Sequence, residues 1–271
     1  MTDVNKEEHW KTENMINSAK IIGTALALVM LINAQSQTTV KDIDGNNYAV
    51  KQIGNEQWTT SNLNVATFRN GEIIPHATTS SEWLIAGKSK QPAWCYYKFD
   101  AKHEKEYGKL YNWYAVNDSR GLAPEGFKIP SMEDYETLID PLGGEVDAGR
   151  SLKSTTGWDK MRKTWMWSYR NKLQENGTPY ESGNGTNASG FNGQAGGRVN
   201  GNGESSTLHK YGHFWTSTKE EKTEWHEKTK HPLRICFFDL KHHEGGCGDG
   251  AAHRGRFMAE DGMSVRCVKI R

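Results

Sequence analysis

The sequence lacks a block of like charge. Its 34 lysines and arginines stand against 33 aspartates and glutamates, which leaves a formal charge of +1. No basic stretch of the kind that follows a phosphate backbone is present, so nucleic acid is not an expected partner. The 271 residues are 35% hydrophobic and 10% aromatic, which is enough apolar surface for a sizeable core. Charge and composition together favour a folded domain whose partner is not a nucleic acid.

Long hydrophobic runs are also absent. The longest, Ile21–Ile32, has 12 residues, whereas a membrane span needs about 20. A lysine before this run and small residues after it are typical of a secretory signal. We therefore expect residues 1–34 to be a leader and the mature protein to begin near Gln35, secreted or in the cell envelope and without a membrane span. An uncleaved membrane anchor or a buried helix is the alternative, and Met15 is an alternative start.

Cysteine is scarce, with four residues in the chain. In an exported protein these four can form two disulfides, with three alternative connectivities. Cys236 and Cys247 flank a short segment rich in glycine and histidine, which favours a local bridge between them. That pairing leaves Cys95 to join Cys267. If the protein is not exported, we expect free buried thiols that pack as small hydrophobic side chains.

The familiar motifs of catalysis are missing as well. The sequence has no Gly-x-Ser-x-Gly elbow, phosphate-binding loop or dinucleotide fingerprint. His213 and His226 lie near hydroxyl residues in sequence, but only geometry would make them catalytic. Carboxylates such as Glu220, Glu221 and Glu224 could serve a glycosidase, yet most protein surfaces offer such groups. We therefore expect neither a catalytic site nor a cofactor.

One histidine-rich stretch deserves comparison with metal sites. "HHEGGCGDGAAH" contains residue types that zinc accepts, at positions His242, His243, Cys247 and His253. Adjacent histidines in an extended segment point to opposite faces, however, and Cys247 is a disulfide candidate. The stretch is expected to be a solvated polar loop, and no metal site is predicted.

Turn and helix signals are clear at three places. Apolar and polar residues alternate on both sides of Asp44-Gly45-Asn46, which predicts a hairpin rather than a calcium loop, because the glycine and the final glutamate of such a loop are not in place. Leu110, Trp113 and Tyr114 recur at helical spacing. In "IPSMEDYETLIDPLGG", Ser131 and Asp134 form a capping box, and Pro141 with the two glycines ends the helix.

The remaining patterns predict loops followed by a sheet. Residues 170–206 are rich in Gly, Asn, Ser and Thr, which favours long loops over a helix or a core. After them come three short runs typical of strands, "HFWTST", "LRICFFDL" and "MSVRCVKI". The expected fold class is α+β, with two helices packed on short antiparallel sheets and joined by long Gly- and Asn-rich loops.

Several blocks carry a family resemblance. "DIDGNNYAVKQIGNEQWTTSNLN", "AWCYYKFD", "YGKLYNWYAVND", "RGLAPEGFKIPS", "LKSTTGW", "YGHFWTSTKE" and "SVRCVK" occur in the order and spacing of the Fibrobacter succinogenes major paralogous domain, a family of exported bacterial domains. The sequence resembles this family from about Val40 to Lys269. The resemblance implies a C-type-lectin-like fold but no mechanism. The calcium-dependent sugar-binding signatures of C-type lectins are missing, since "QPA" at Gln91 lacks the carboxylate.

The aromatic residues divide into two sets. Four lie within family blocks or strand-like runs and are expected in the core: Trp94, Trp113, Phe127 and Trp215. Residues 160–182 depart from the family pattern and resemble a loop insertion, where scaffolds often carry specificity. Within it, Trp165, Trp167 and Tyr169 alternate, so in an extended segment the three rings project from one face and can stack on sugars or grip an apolar partner. The alternative is that they cover an edge of the core.

These observations predict a single domain over residues 35–271 that binds without catalysis. The expected ligand is a carbohydrate or cell-surface polymer, held by Trp165, Trp167 and Tyr169. A protein-interaction or structural module is the second hypothesis, and an envelope hydrolase is the third.

Overall fold

The computed structural model describes residues 38–162, 180–220, 228, 235–241 and 252–271. The helices are α1 (Ser80–Lys88), α2 (Glu104–Tyr107), α3 (Trp113–Val116), α4 (Met132–Ile139) and α5 (Gly144–Leu152). The strands are β1 (Thr39–Lys41), β2 (Asn47–Ile53), β3 (Glu56–Thr59), β4 (Trp94–Cys95), β5 (Leu110–Asn112), β6 (Phe127–Lys128), β7 (Lys160–Arg162), β8 (Tyr180–Ser182), β9 (Arg198–Val199), β10 (Ser205–Ser206), β11 (Tyr211–Lys219), β12 (Ile235–Lys241), β13 (Ala252–Phe257), β14 (Gly262–Met263) and β15 (Val268–Lys269). The predicted leader, residues 1–34, lies outside this part of the chain. Among the described residues, no helix is long and apolar enough to cross a bilayer.

The strands form antiparallel sheets. Two sheets of five strands have the orders β1-β2-β3-β15-β6 and β10-β9-β14-β5-β4, a third has the order β11-β12-β13, and β7 pairs with β8. The last strand, β15, lies between β3 and β6, where Val268 is opposite both Trp58 and Lys128. The beginning and end of the domain therefore share one sheet. The fold is a mixture of short helices and antiparallel strands, as the sequence predicts.

The predicted hairpin at Asp44-Gly45-Asn46 is confirmed. Strands β1 and β2 pair antiparallel, with Lys41 opposite Asn47. Gly45 has φ 86°, a left-handed conformation that glycine adopts without strain. The Asp42 carboxylate accepts the Asn46 N–H at 2.9 Å through Oδ1 and the Tyr48 hydroxyl at 2.6 Å through Oδ2. Protein donors thus use both oxygens, which favours a structural turn over a calcium ligand.

The capping box of α4 is confirmed as well. The Asp134 N–H donates to Ser131 Oγ at 3.2 Å, and the Ser131 N–H donates to Asp134 Oδ2 at 2.7 Å. A 3₁₀ turn at Asp140–Leu142 and Gly143, with φ 96°, end the helical run as expected. The chain then re-enters a helix at α5, which the sequence analysis missed, together with α1.

The prediction of one helix around Leu110, Trp113 and Tyr114 is wrong. Leu110 lies in β5, which pairs with both β4 and β14. The helix α3 begins only at Trp113, where the Asn112 side chain accepts the Ala115 N–H at 3.0 Å and caps the first turn. Strand pairing with distant segments has therefore overridden the helical spacing of the apolar residues.

The core contains the four aromatic residues predicted for it. Trp94, Trp113, Phe127 and Trp215 are at most 6% exposed and belong to one cluster. A second cluster, which includes Trp58, Tyr135 and Phe191, packs α4 and α5 against β11 and β12. Among the side chains that the structure describes, no Trp, Tyr or Phe is exposed. The described aromatic rings are therefore all buried or half-buried.

The predicted Cys95–Cys267 disulfide is wrong. Both residues are fully buried free thiols. Cys95 packs in a cluster with Trp83 and Leu110, whereas Cys267 packs in the larger core, so the two side chains occupy different clusters. Burial raises the pKa of both thiols, that of Cys267 to about 12, which leaves them unreactive. The predicted Cys236–Cys247 bridge involves a residue outside the described part and stays a prediction.

Candidate functional site

A two-stranded hairpin base frames the predicted insertion at residues 160–182. Strands β7 and β8 pair antiparallel, with Lys160 opposite Ser182 and Arg162 opposite Tyr180. Within the described residues they pair with no other strand. The connecting residues 163–179, which include the predicted ligand residues Trp165, Trp167 and Tyr169, lie outside the described part of the chain. The structure thus gives the two ends of this segment.

The residues that flank the hairpin base, just before β7 and just after β8, are anchored to the core. Trp158 is 6% exposed, and its indole Nε1–H donates to Ser154 Oγ at 2.9 Å. The Trp158 backbone N–H donates to Asn184 Oδ1 at 3.0 Å, which joins the chain before β7 to the chain after β8. The Gly183 N–H adds a bond to the Asp159 carbonyl at 3.1 Å. These contacts fix where the hairpin leaves the domain.

His209 contacts the chain just before β7. Its carbonyl accepts the Asp159 N–H at 2.8 Å, and its Nδ1 lies 3.0 Å from the Gly157 carbonyl, so Nδ1 carries the proton and donates. The Tyr107 ring packs edge-on against the imidazole with centroids 6.2 Å apart. Burial and a hydrogen bond with Glu106 raise the pKa of Tyr107, which keeps its hydroxyl neutral. The residues around the base are therefore fixed before any ligand arrives.

Two neighbouring loops carry unusual backbone conformations. Lys98 and Phe99 have φ 54° and 58°, and Thr207 and His209 both have φ 63°. A left-handed backbone is uncommon for side chains with a Cβ and costly for a β-branched one such as Thr207. The loops contact each other, since the Lys98 N–H donates to Ser205 Oγ at 2.9 Å. Strain of this kind collects at ligand-binding and catalytic loops, and here it lies beside the hairpin base.

The side chains of Thr207, His213 and Asp239 lie in a row near these loops. Thr207 Oγ1 lies 3.2 Å from His213 Nε2, and His213 Nδ1 lies 3.9 Å from Asp239 Oδ2. The order is that of a nucleophile, a base and an orienting acid. Burial, with the nearby cations of Arg198 and Lys241, lowers the pKa of His213 to about 3.

That low basicity argues against nucleophilic catalysis. An imidazole with such a pKa accepts a proton poorly near neutral pH, whereas a general base needs a pKa near the working pH. The Thr207 hydroxyl donates to the Ser206 carbonyl at 2.7 Å, so its proton has another acceptor. The gap of 3.9 Å between His213 and Asp239 is also too long for a hydrogen bond. The arrangement does not favour an activated threonine.

The described residues also line a shallow depression of about 340 Å³ beside α4 and the C-terminus. Three of its charged groups already have partners: Lys128 Nζ lies 2.9 Å from Asp134 Oδ2, the Asp134 carboxylate caps α4, and Arg271 Nη2 lies 2.7 Å from Glu56 Oε1. Among the side chains that the structure describes, no three His, Cys, Asp or Glu are placed to share a metal ion. The hairpin base is therefore the strongest candidate for function.

Comparison with known families identifies the domain. The profile of the Fibrobacter succinogenes major domain matches residues 50–269. The chain belongs to this family. The match to the Fibrobacter succinogenes major domain runs from within β2 to the end of β15 and includes both strands of the hairpin base. No curated protein and no solved structure matches the chain.

Proposed function

We propose that this domain is a secreted or cell-surface binding module without catalytic activity, whose ligand is a carbohydrate or another cell-surface polymer. One observation carries the proposal. Rings that stack on sugars must be open to solvent, and the described surface has no exposed aromatic side chain. The segment that joins β7 to β8, by contrast, carries three aromatic residues at alternating positions: Trp165, Trp167 and Tyr169.

The hairpin base supports this assignment. An extended continuation of β7 would place positions 165, 167 and 169 on one face, because side chains alternate along a strand. Lys163 would lie on the same face of such a strand and would supply donors for hydroxyl or acidic groups of a polymer. A base anchored through Trp158 and His209 reduces the conformational freedom that the site must lose on binding.

The proposal includes a C-type-lectin-like fold that binds without calcium. Short antiparallel strands, a capped helix α4 and an irregular segment over residues 183–197 agree with such a fold. The calcium signatures are missing from the sequence, and protein donors use both oxygens of Asp42. Shape and stacking would therefore select the ligand.

A binding panel with a triple variant tests the proposal. The mature chain from Gln35 is screened against polysaccharides and glycans, and the best ligand is titrated by calorimetry against the variant with Trp165, Trp167 and Tyr169 all changed to alanine. At about 1 kcal/mol for each stacked ring, the variant should bind about 100-fold more weakly. Tyr114→Ala, which removes a half-buried ring elsewhere, is the control and should bind as the wild type does.

Thermal unfolding of the same variants separates the alternatives. Lost binding with an unchanged melting temperature supports the aromatic face. Retained affinity refutes it, and a large fall in melting temperature shows instead that the rings cover a core edge. If no glycan binds but a protein from the same envelope does, the interaction-module hypothesis replaces the proposed one, and turnover of a panel member would establish a hydrolase.

A further inference from the structure

Three strands bring two histidines and an aspartate into one row. His213 on β11 is directly opposite Asp239 on β12, and Asp239 is directly opposite His253 on β13. Directly paired residues on neighbouring strands occupy the same face of a sheet. The register therefore places positions 213, 239 and 253 side by side.

This register corrects the expectation for His253. The sequence analysis assigned the whole stretch "HHEGGCGDGAAH" to a solvated loop, but β13 begins at Ala252, so His253 lies in a paired strand. Pairing with a distant strand, which the local composition does not reveal, decides its position. His253 is therefore paired directly with Asp239, whose carboxylate is buried.

We propose that His213, Asp239 and His253 form a binding site for a first-row divalent metal ion, with Zn²⁺ the best fit. Two imidazole nitrogens and one carboxylate oxygen are donors that zinc accepts, and imidazole also suits copper, iron and nickel. With three protein ligands, such a site leaves a coordination position for water or a further side chain. This site is separate from the hairpin and does not depend on the proposed function.

The hydrogen bonds of His213 support a metal at Nδ1. The Thr207 hydroxyl donates to the Ser206 carbonyl, so its oxygen is left to accept from His213 Nε2–H. A proton on Nε2 places the lone pair of the neutral imidazole on Nδ1. Metal-bound histidines are commonly fixed in this way, by a partner that accepts from the second ring nitrogen. Thr207 is therefore a positioning residue for the ligand.

The lone pair at Nδ1 then lies near the Asp239 carboxylate, and a cation between these two groups would interact favourably with each. His213 is 3% exposed, and its Nδ1 has no hydrogen-bond partner in the described part of the chain. A buried nitrogen without a partner is destabilising. Nδ1 and Asp239 Oδ2 lie 3.9 Å apart, and two ligands of one tetrahedral zinc, each about 2.1 Å from the metal, lie about 3.4 Å apart. A metal between the two atoms would give Nδ1 a partner with little movement of either side chain.

The nearby positive charges of Arg198 and Lys241 are compatible with a metal ion at this site. Arg198 is paired with Asp261, at 3.3 Å between Nη1 and Oδ2, so its charge is largely balanced. Lys241 Nζ lies 3.9 Å from Asp239 Oδ2, but its side chain is 31% exposed and can extend into water on its flexible stem. The ring of Tyr211 stacks on His213, and Phe237 packs edge-on against it, which shields His213 from solvent.

Metal titration of the full chain tests the site. Protein stripped with a chelator is titrated with Zn²⁺ by calorimetry, and with Co²⁺ while its visible absorption is recorded. We expect one equivalent per chain, with binding weakened at least about tenfold in His253→Ala and Asp239→Asn, and about 10–100-fold in Thr207→Val. Valine keeps the branched shape of Thr207 and replaces the hydroxyl with a methyl group. His103→Ala, a half-buried histidine outside the row, is the control and should bind normally.

Two results would overturn the proposal. One is the absence of saturable Zn²⁺ and Co²⁺ binding by folded wild-type protein. The other is unchanged binding and an unchanged Co²⁺ spectrum in His253→Ala, which would place the ion at another group such as His242 and His243. If circular dichroism shows that Asp239→Asn does not fold, His253→Ala and its conservative partner His253→Gln decide the question.

Discussion

Arg266 provides the sharpest test of what holds the domain together. Its side chain is fully buried. Nε–H donates to Asn62 Oδ1 at 2.7 Å, Nη1 donates to the carbonyls of Phe191 at 2.7 Å and Thr59 at 3.1 Å, and Nη2 donates to the Asn192 carbonyl at 2.8 Å. The guanidinium thus ties the C-terminal segment to β3 and to the irregular chain before β9.

The substitution Arg266→Met would leave four acceptors without this donor, three of them buried and the Asn192 carbonyl part-buried. Each loss costs about 1–3 kcal/mol, so simple addition gives about 4–12 kcal/mol. Part of this is offset because the buried charge is itself costly, as the lowering of the Arg266 pKa to about 9 by burial indicates. Replacing a buried charge by an apolar group is often neutral when its partners are replaced too, but three of these partners are backbone carbonyls. We therefore expect a loss near the lower bound, about 4 kcal/mol.

Urea unfolding followed by tryptophan fluorescence measures this loss. With a slope of about 2 kcal/mol per molar, the midpoint should fall by about 2 M. Arg266→Lys, which keeps the charge and three of the donors, should fall between wild type and Arg266→Met. Arg120→Met removes an arginine that pairs with Glu72 and Asp118 at the surface, and should leave the midpoint nearly unchanged. A change below about 1 kcal/mol in Arg266→Met would refute the reasoning, because it would mean that the four acceptors have other donors.

Two further predictions concern burial elsewhere. Trp113→Ala should destabilise the domain by about 3–5 kcal/mol, because it empties a site that is 5% exposed and removes the Nε1–H bond to the Thr216 carbonyl; an unchanged melting temperature would place the ring outside the core. Burial raises the pKa of Asp261 to about 6, so its contribution to stability is complete below about pH 4 and is lost as pH rises through 6. Urea unfolding from pH 4 to 7 should show this fall in wild type and not in Asp261→Asn, and parallel profiles would contradict it.

The features that the sequence predicted correctly are local ones. The turn at Gly45 and the capping box of Ser131 with Asp134 each depend on residues within a few positions of one another, so the pattern contains the whole interaction. The burial of Trp94 and Trp215 followed from residue type and from strand-like surroundings. Predictions of this kind need no knowledge of distant contacts.

The errors share a physical cause in long-range pairing and packing. The apolar spacing of Leu110 and Trp113 suits a helix, but β4 and β14 compete for residues 110–112 and pair with them as a strand. The Cys95–Cys267 bridge followed from the expected compartment and from spacing, neither of which shows the direction of a side chain. The structure places the two residues in different clusters, where each is a buried free thiol.

The row of His213, Asp239 and His253 shows why a ligand set can escape a search by spacing. Motif reasoning looks for histidines and cysteines close together in sequence, and here it groups His253 with His242, His243 and Cys247 rather than with His213 and Asp239. Residues adjacent on a strand face opposite sides of a sheet, whereas residues paired across strands share one side. The register of β11, β12 and β13 therefore groups three donors from separate parts of the chain. Only a pairing pattern, which depends on the whole sheet, could have predicted that group.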